Sequence, residues 1–181
     1  MVRVGASEVL TFLVRHPGEH VLLFWLLNPA SAADSPLGSW EAGPRYAEMK
    51  AEVRAEVEVA IASLGFVRRQ VVRWVLIGAT APCARVQIAR DAADLLITCD
   101  AYAPAVAPAD GAEVAFTGDD GRTMRLTHRV DDNGDVVQTF ISKHGTRTNR
   151  YTLLPDARLR VSVTLASPSI EHPVVYALNY R

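Results

Sequence analysis

From Cys83 to the C-terminus the hydrophobic period is two, broken every few residues by turn chemistry, and that pattern leaves few folds open. Alternating segments cover 83–89, 95–99, 113–117, 122–130, 136–143, 146–154, 159–166 and 173–180. Between them stand Gly118-Asp119-Asp120-Gly121, Asp131-Asp132-Asn133-Gly134, His144-Gly145 and Pro155-Asp156. Loops this short force sequential strands to lie antiparallel, so the sequence predicts an up-and-down meander of about eight strands. One longer connection, 101–112, carries Pro104 and Pro108 and is expected to cross an edge. A meander of this length must hide an apolar face and two edges. It is expected to close into a barrel or to wrap around helices.

The alternation also says which side faces in. Leu159, Val161, Val163 and Leu165 define one apolar face against Arg160, Ser162 and Thr164. The corresponding inward sets are Met124, Leu126, His128 and Val130; Asn149, Tyr151 and Leu153; and Val174, Tyr176, Leu178 and Tyr180. Polar groups therefore interrupt the inner face. Gln138, Asn149, Tyr151, Tyr176 and Tyr180 are the candidates, joined by Arg147 if it shares the face of Asn149. Burying such groups costs free energy unless partners exist. Two readings account for them: a ligand pocket with a few fixed polar groups, or a satisfied network among neighbouring strands.

Upstream the period changes to that of a helix. Tyr46, Met49, Val53, Val57, Ile61 and Leu64 recur at spacings of three and four, with Glu48, Lys50, Glu52, Arg54, Glu56 and Glu58 on the other faces. Pro44 suits a first helical position and Gly65 a stop. The next run contains Phe66, Val67, Val71, Val72, Trp74, Val75, Leu76 and Ile77, interrupted by Arg68, Arg69 and Arg73, and ends before Gly78. Its β-branched content allows a strand, and a second helix is expected. Residues 44–79 thus read as a helical hairpin, and 34–181 as one domain.

The first 33 residues differ from the rest. The uncharged run Val21-Leu22-Leu23-Phe24-Trp25-Leu26-Leu27 precedes Ala30-Ser31-Ala32-Ala33-Asp34. Small residues after a short hydrophobic core fit a signal-peptidase site, so 1–33 is expected to be a signal peptide, with a mature start near Asp34 and a periplasmic or secreted location. The alternative is an N-terminal segment packed on the domain. The run is far too short to span a bilayer.

A formal net charge of −1 and the absence of any Lys/Arg cluster beyond Arg68-Arg69 argue against nucleic-acid binding by bulk charge. Cys83 and Cys99 are equidistant from Asp91. A hairpin centred there would set them opposite one another, as a disulfide in an exported chain or as two buried thiols in a cytosolic one. Of His16, His20, His128, His144 and His172, only His128 falls on an inward face. No spacing among histidines and cysteines suits a metal, and neither metal nor cofactor is expected. The Asp131–Asp135 run (residues 131–135) lacks the downstream glutamate of a calcium loop and reads as a hairpin turn. There is no phosphate-binding glycine loop and no Gly-x-Ser-x-Gly elbow.

The stretch Asn133-Gly134-Asp135-Val136-Val137-Gln138-Thr139-Phe140, then Gly145-Thr146-Arg147-Thr148-Asn149-Arg150-Tyr151, then 159–165 and Val174-Val175-Tyr176, resembles the last strands of the calycin group, which includes the fatty-acid-binding proteins and the lipocalins. Gly38-Ser39-Trp40 is similar to the Gly-x-Trp near the start of lipocalins. There it opens the first strand, whereas here a helical hairpin follows; in fatty-acid-binding proteins a helix pair is inserted after the first strand. The resemblance implies a calycin-like β-barrel or cup that binds a small apolar molecule.

Three functions follow as expectations. The first is an exported binding protein that holds a lipid or other apolar small molecule without chemistry, contacting it through His128, Gln138, Asn149, Tyr151 and Tyr176. The second is an enzyme using His128 with Tyr151 or Tyr176, which requires both groups to converge on one cavity. The third is a structural module without a pocket.

Overall fold

The computed structural model describes residues 35–181; the expected signal peptide and its cleavage site lie outside them. The domain is mainly β, with two helices near its N-terminus. The order is β1 (Gly38–Glu41), α1 (Tyr46–Ala60), α2 (Phe66–Ala79), β2 (Arg85–Asp91), β3 (Asp94–Cys99), β4 (Tyr102–Pro108), β5 (Val114–Thr117), β6 (Thr123–Val130), β7 (Val136–Ser142), β8 (Gly145–Leu153), β9 (Leu159–Ala166) and β10 (Val174–Tyr180). Every ladder is antiparallel, and neighbours are sequential in two sheets, β1-β2-β3-β4 and β10-β9-β8-β7-β6-β5.

The sheets join on both sides. Glu41 and Arg181 exchange two backbone hydrogen bonds (2.7 and 2.9 Å) between β1 and the end of β10. Opposite, the chain leaving β4 pairs with β6: Val130 N–H donates to the Ala109 carbonyl and Gly111 N–H to the His128 carbonyl. The meander is therefore joined at both seams, while β4 and β5 remain the end strands of their sheets.

Two strands go beyond the eight expected. β1 contains Gly38-Ser39-Trp40, so the helix pair follows the first strand, and the chain keeps the strand–helix–helix order described above for fatty-acid-binding proteins. The expected long connection at 101–112 instead contains β4. Its prolines are tolerated because β4 is the terminal strand of the first sheet, where a missing N–H leaves no broken ladder bond. Its short inward residues Ala105 and Ala107 are buried against Leu126, with Phe116 and Phe140 alongside.

The helical segments follow the pattern with one shift. Met49, Val53 and Val57 bury the inner face of α1, and Ile61, just beyond it, is fully buried. Each such side chain contributes roughly 1.5–3 kcal/mol on burial. α1 ends at Ala60 rather than near Leu64, because the chain tightens into i→i+3 bonds there (Ala62 N–H to Val59, Leu64 N–H to Ile61). Gly65, expected as a stop, is the extended residue that starts α2.

The Cys83–Cys99 disulfide is present, with Cα atoms 5.5 Å apart. Its geometry differs from the expected opposed pair. The β2–β3 turn is centred between Ala92 and Ala93, so Cys99 faces Val86 and Cys83 reaches it from before the start of β2. The run at 131–135 is the expected hairpin turn, with Asp131 accepting from the backbone N–H groups of Asn133 and Asp135 and both Asp131 and Asp135 paired with Arg150.

Candidate functional site

The register carries the expected inward residues into one straight row. His128 on β6 pairs with Gln138 on β7, Gln138 with Asn149 on β8, Asn149 with Val163 on β9, and Val163 with Tyr176 on β10. Tyr151 stands two residues along β8 on the same face. His128, Gln138, Asn149, Tyr151 and Tyr176 are all buried, and none exposes more than 7% of its surface. Arg147 shares this face and is half-buried.

Four of these side chains form a directed hydrogen-bond relay. Arg147 Nε donates to Asn149 Oδ1 at 2.9 Å, and Asn149 Nδ2 donates to Gln138 Oε1 at 2.8 Å. Gln138 Nε2 lies 3.0 Å from His128 Nε2, and His128 Nδ1 lies 3.0 Å from the Leu95 carbonyl. An amide N–H can meet the imidazole only at an unprotonated nitrogen. The arrangement therefore demands the neutral imidazole, with Nδ1–H donating to Leu95. Burial acts in the same direction: it lowers the His128 pKa, against the backbone carbonyls of Leu95 and Ala107. Tyr151 closes a side loop, its hydroxyl donating to Gln138 Oε1 at 2.9 Å. Desolvation raises the pKa of Tyr151 and of Tyr176 to about 12, so both stay neutral.

The relay ends on the helix pair. Arg147 Nη1 donates to the Ala79 carbonyl at 2.8 Å, the Tyr176 hydroxyl to Thr80 at 2.9 Å and the Tyr102 hydroxyl to Ala81 at 2.8 Å. The Arg147 guanidinium also lies over the Tyr102 ring, 4.7 Å from its centroid. These acceptors belong to the C-terminal end of α2, where carbonyls lack helical partners and carry the negative end of the helix dipole. Arg147 makes no ion pair with a carboxylate among the described residues. Tyr102 was not legible as a site residue, because the proline-flanked segment that carries it reads as a loop.

Neither of the two pockets described lies inside the barrel. One is an open groove by the β7–β8 turn and the loop before β10, lined by Lys143, Thr146, Ser167 and Glu171 among others. The other is a small cleft between the helices, lined by Lys50, Arg54 and Ile77 among others. Both ring nitrogens of His128 are engaged, and neither pocket brings it together with Tyr151 or Tyr176. Cys83, Cys99 and Asp100 form a metal-capable trio only in distance, since the two sulfurs are bonded to each other.

No protein-family model matches the chain, and no curated protein is similar to it. Among solved structures it is similar to a REP1-NXSQ fatty acid transporter, at 18% identity and a TM-score of 0.44, over 80% of this chain and 93% of that one. It is also similar to a Schistosoma mansoni fatty acid binding protein in complex with arachidonic acid, at 18% identity and a TM-score of 0.44, again over 80% and 93%. Likenesses this weak assign no function.

Proposed function

We propose that this chain is an exported binding protein for an apolar small molecule with an anionic head, and that it performs no chemistry on it. The observation that carries the reading is Arg147. A guanidinium turned into a barrel is costly to desolvate, and such groups ordinarily meet a carboxylate or phosphate. Here it stands among Tyr102, Tyr151 and Tyr176, and it donates to the Ala79 carbonyl and the Asn149 side-chain oxygen instead of to an anion. A carboxylate is a better acceptor for the same donors, since charge-assisted pairs to arginine are the stronger ones. In this reading the ligand head replaces the Ala79–Ala81 carbonyls (residues 79–81), the helix pair lifts, and the apolar tail takes the space that α1 fills. The disulfide supports an oxidising compartment.

Titration with a fluorescent fatty-acid probe tests this. The wild type is expected to bind the carboxylate probe more tightly than its alcohol analogue. Arg147→Met is expected to lower carboxylate affinity by about tenfold or more, which is ~1.4 kcal/mol or more, and to leave the alcohol unchanged. No probe binding to the wild type overturns the reading. Export is tested separately: N-terminal sequencing of secreted protein is expected to start near Asp34.

A second reading, a structural barrel without a ligand, is favoured by the near-complete burial of the polar row and its internal hydrogen bonds. No comparable observation favours an enzyme.

A further inference from the structure

Residues 78–84 form the strap that joins α2 to β2, and side chains hold it carbonyl by carbonyl. Arg147 donates to Ala79, Tyr176 to Thr80, Tyr102 to Ala81 and Tyr46 to Pro82. The next residue, Cys83, is fixed to Cys99 by the disulfide that uses both cysteines of the chain. Cys99 ends β3, three residues before Tyr102 opens β4, so the bridge bolts the strap to the turn beside one of its own donors. Carbonyls 79–81 are the ones a ligand head displaces in the reading above, so the role inferred for the bridge rests on that reading.

A covalent hold and a hydrogen-bonded one limit the strap differently. With the bridge intact, lifting the strap pivots on Cys83, and Ala81 stays within about 7 Å of it, the reach of two extended residues. With the bridge broken, hydrogen bonds are what remains around Cys83. Ala84 N–H and Arg85 N–H donate to Asp100 Oδ1 (2.7 and 3.2 Å), and Ala42 N–H donates to the Ala84 carbonyl (2.9 Å). Once these open, the pivot moves to Val86, buried in β2, and the reach to Ala81 grows to about 17 Å, five extended residues. Such bonds open and close with water as the competitor, whereas a disulfide breaks only with a chemical partner. The bridge is within reach of one. Cys83 is buried, but Cys99 is half-buried and Asp100 beside it is exposed, which leaves the Cys99 sulfur open to attack.

We propose that the Cys83–Cys99 bridge is a redox latch: oxidised, it holds the strap over the interior and slows ligand exchange, and reduction by a dithiol lets the strap lift. A thiolate of the dithiol attacks Cys99 Sγ, forms a mixed disulfide and expels Cys83 as a thiolate, which is then protonated. The dithiol's second thiolate attacks its own sulfur in that mixed disulfide, and Cys99 leaves as a thiolate and is protonated in turn. The dithiol ends as its disulfide, and the protein gains two electrons and two protons. A ligand is thus retained where disulfides persist and released where dithiols reduce them.

Stopped-flow release of a bound anthroyloxy-stearate probe into excess unlabelled oleate tests the latch, on the oxidised full chain and on the same chain reduced with dithiothreitol. Release is expected to be about tenfold faster or more after reduction, and to return to the slow rate on reoxidation with diamide. The chain carrying Cys83→Ser and Cys99→Ser is expected to release at the reduced rate and not to respond to dithiothreitol. Leu126→Ala supplies the control for lost stability, because Leu126 lies in the separate core cluster with Ala105 and Ala107. It is expected to release the probe within about twofold of the oxidised wild type. Equal release from the oxidised and reduced chains overturns the latch and leaves the binding reading standing. Release from Leu126→Ala as fast as from the reduced chain also overturns the latch, since the bridge then acts through general stability. No probe bound to either form overturns the binding reading, and the latch with it.

Discussion

The two walls of the barrel share a fold and differ in what they turn inward. β2, β3 and β4 present Val86, Ile88, Leu95, Ile97, Ala105 and Ala107, all buried and all aliphatic. β6, β7 and β8 present His128, Gln138 and Asn149 in one register, with Tyr151 and Arg147 beside them. Alternation alone holds the first wall, since any apolar side chain of fitting volume serves there. The second is held by orientation, because each amide must point one way for the next bond to form. The polar row of the second wall reaches the first through His128, whose Nδ1–H donates to the carbonyl of Leu95.

The largest expected effect comes from cutting the relay at its centre. Asn149→Leu keeps roughly the same size but leaves Gln138 Oε1 with one donor fewer and Arg147 Nε without its acceptor. Destabilisation of about 3 kcal/mol or more is expected in urea unfolding, since a charged donor is among the groups orphaned. A loss below about 1 kcal/mol would show that the interior relaxes around a cavity or a water, and would bring the two walls closer in character.

Next in size is the covalent tie of the aliphatic wall. Replacing both Cys83 and Cys99 by serine removes a loop constraint of sequence separation 16. About 3 kcal/mol of stability is expected to be lost, with the wild type under reductant behaving alike. Within that wall, Ile97→Val removes one buried methylene and is expected to cost only about 1 kcal/mol. If it costs as much as Asn149→Leu, the contrast between specific and generic packing fails.

Much of this contrast is readable in the sequence, and the unreadable part has identifiable causes. The strands from 122 onward are legible because turn dipeptides bracket each apolar alternation. The inward placement of His128, Asn149, Tyr151 and Tyr176 follows from period two alone. The helix pair is legible from its 3.6 period. What escapes is what depends on partners distant in sequence. β4 escapes because its inward residues are alanines flanked by prolines, and only its position at the end of a sheet makes them acceptable. β1 is four residues long and gains its identity from pairing with β2 and touching Arg181. The grip of Arg147, Tyr176 and Tyr102 on carbonyls 79–81 cannot be read at all, since the acceptors are peptide groups and leave no trace in residue types.

The smallest and most diagnostic effect is the dependence of stability on pH. Burial holds His128 neutral, with a folded pKa below the 6.5 of a free imidazole. The unfolded chain therefore binds more protons than the folded one as pH drops through about 6.5, and linkage makes the folded state lose stability there. The tyrosines set the opposite limit. Tyr151 and Tyr176 are pushed up to about 12, and Tyr180 further, against 10.0 when free, so the unfolded chain ionises first and stability falls as pH rises above 10. A plateau from about pH 6.5 to 10 is thus bounded by His128 and Tyr151 of the polar wall and by Tyr176 and Tyr180 of β10, and the aliphatic wall contributes no titrating group from its buried side chains. Thermal melts between pH 5 and 11 check it. His128→Asn is expected to flatten the limb between pH 6.5 and 5 whatever it does to the plateau, and Tyr176→Phe to soften the alkaline limb. If the acid limb survives in His128→Asn, the proton enters elsewhere, and the neutral imidazole is not what links the polar row to the aliphatic wall.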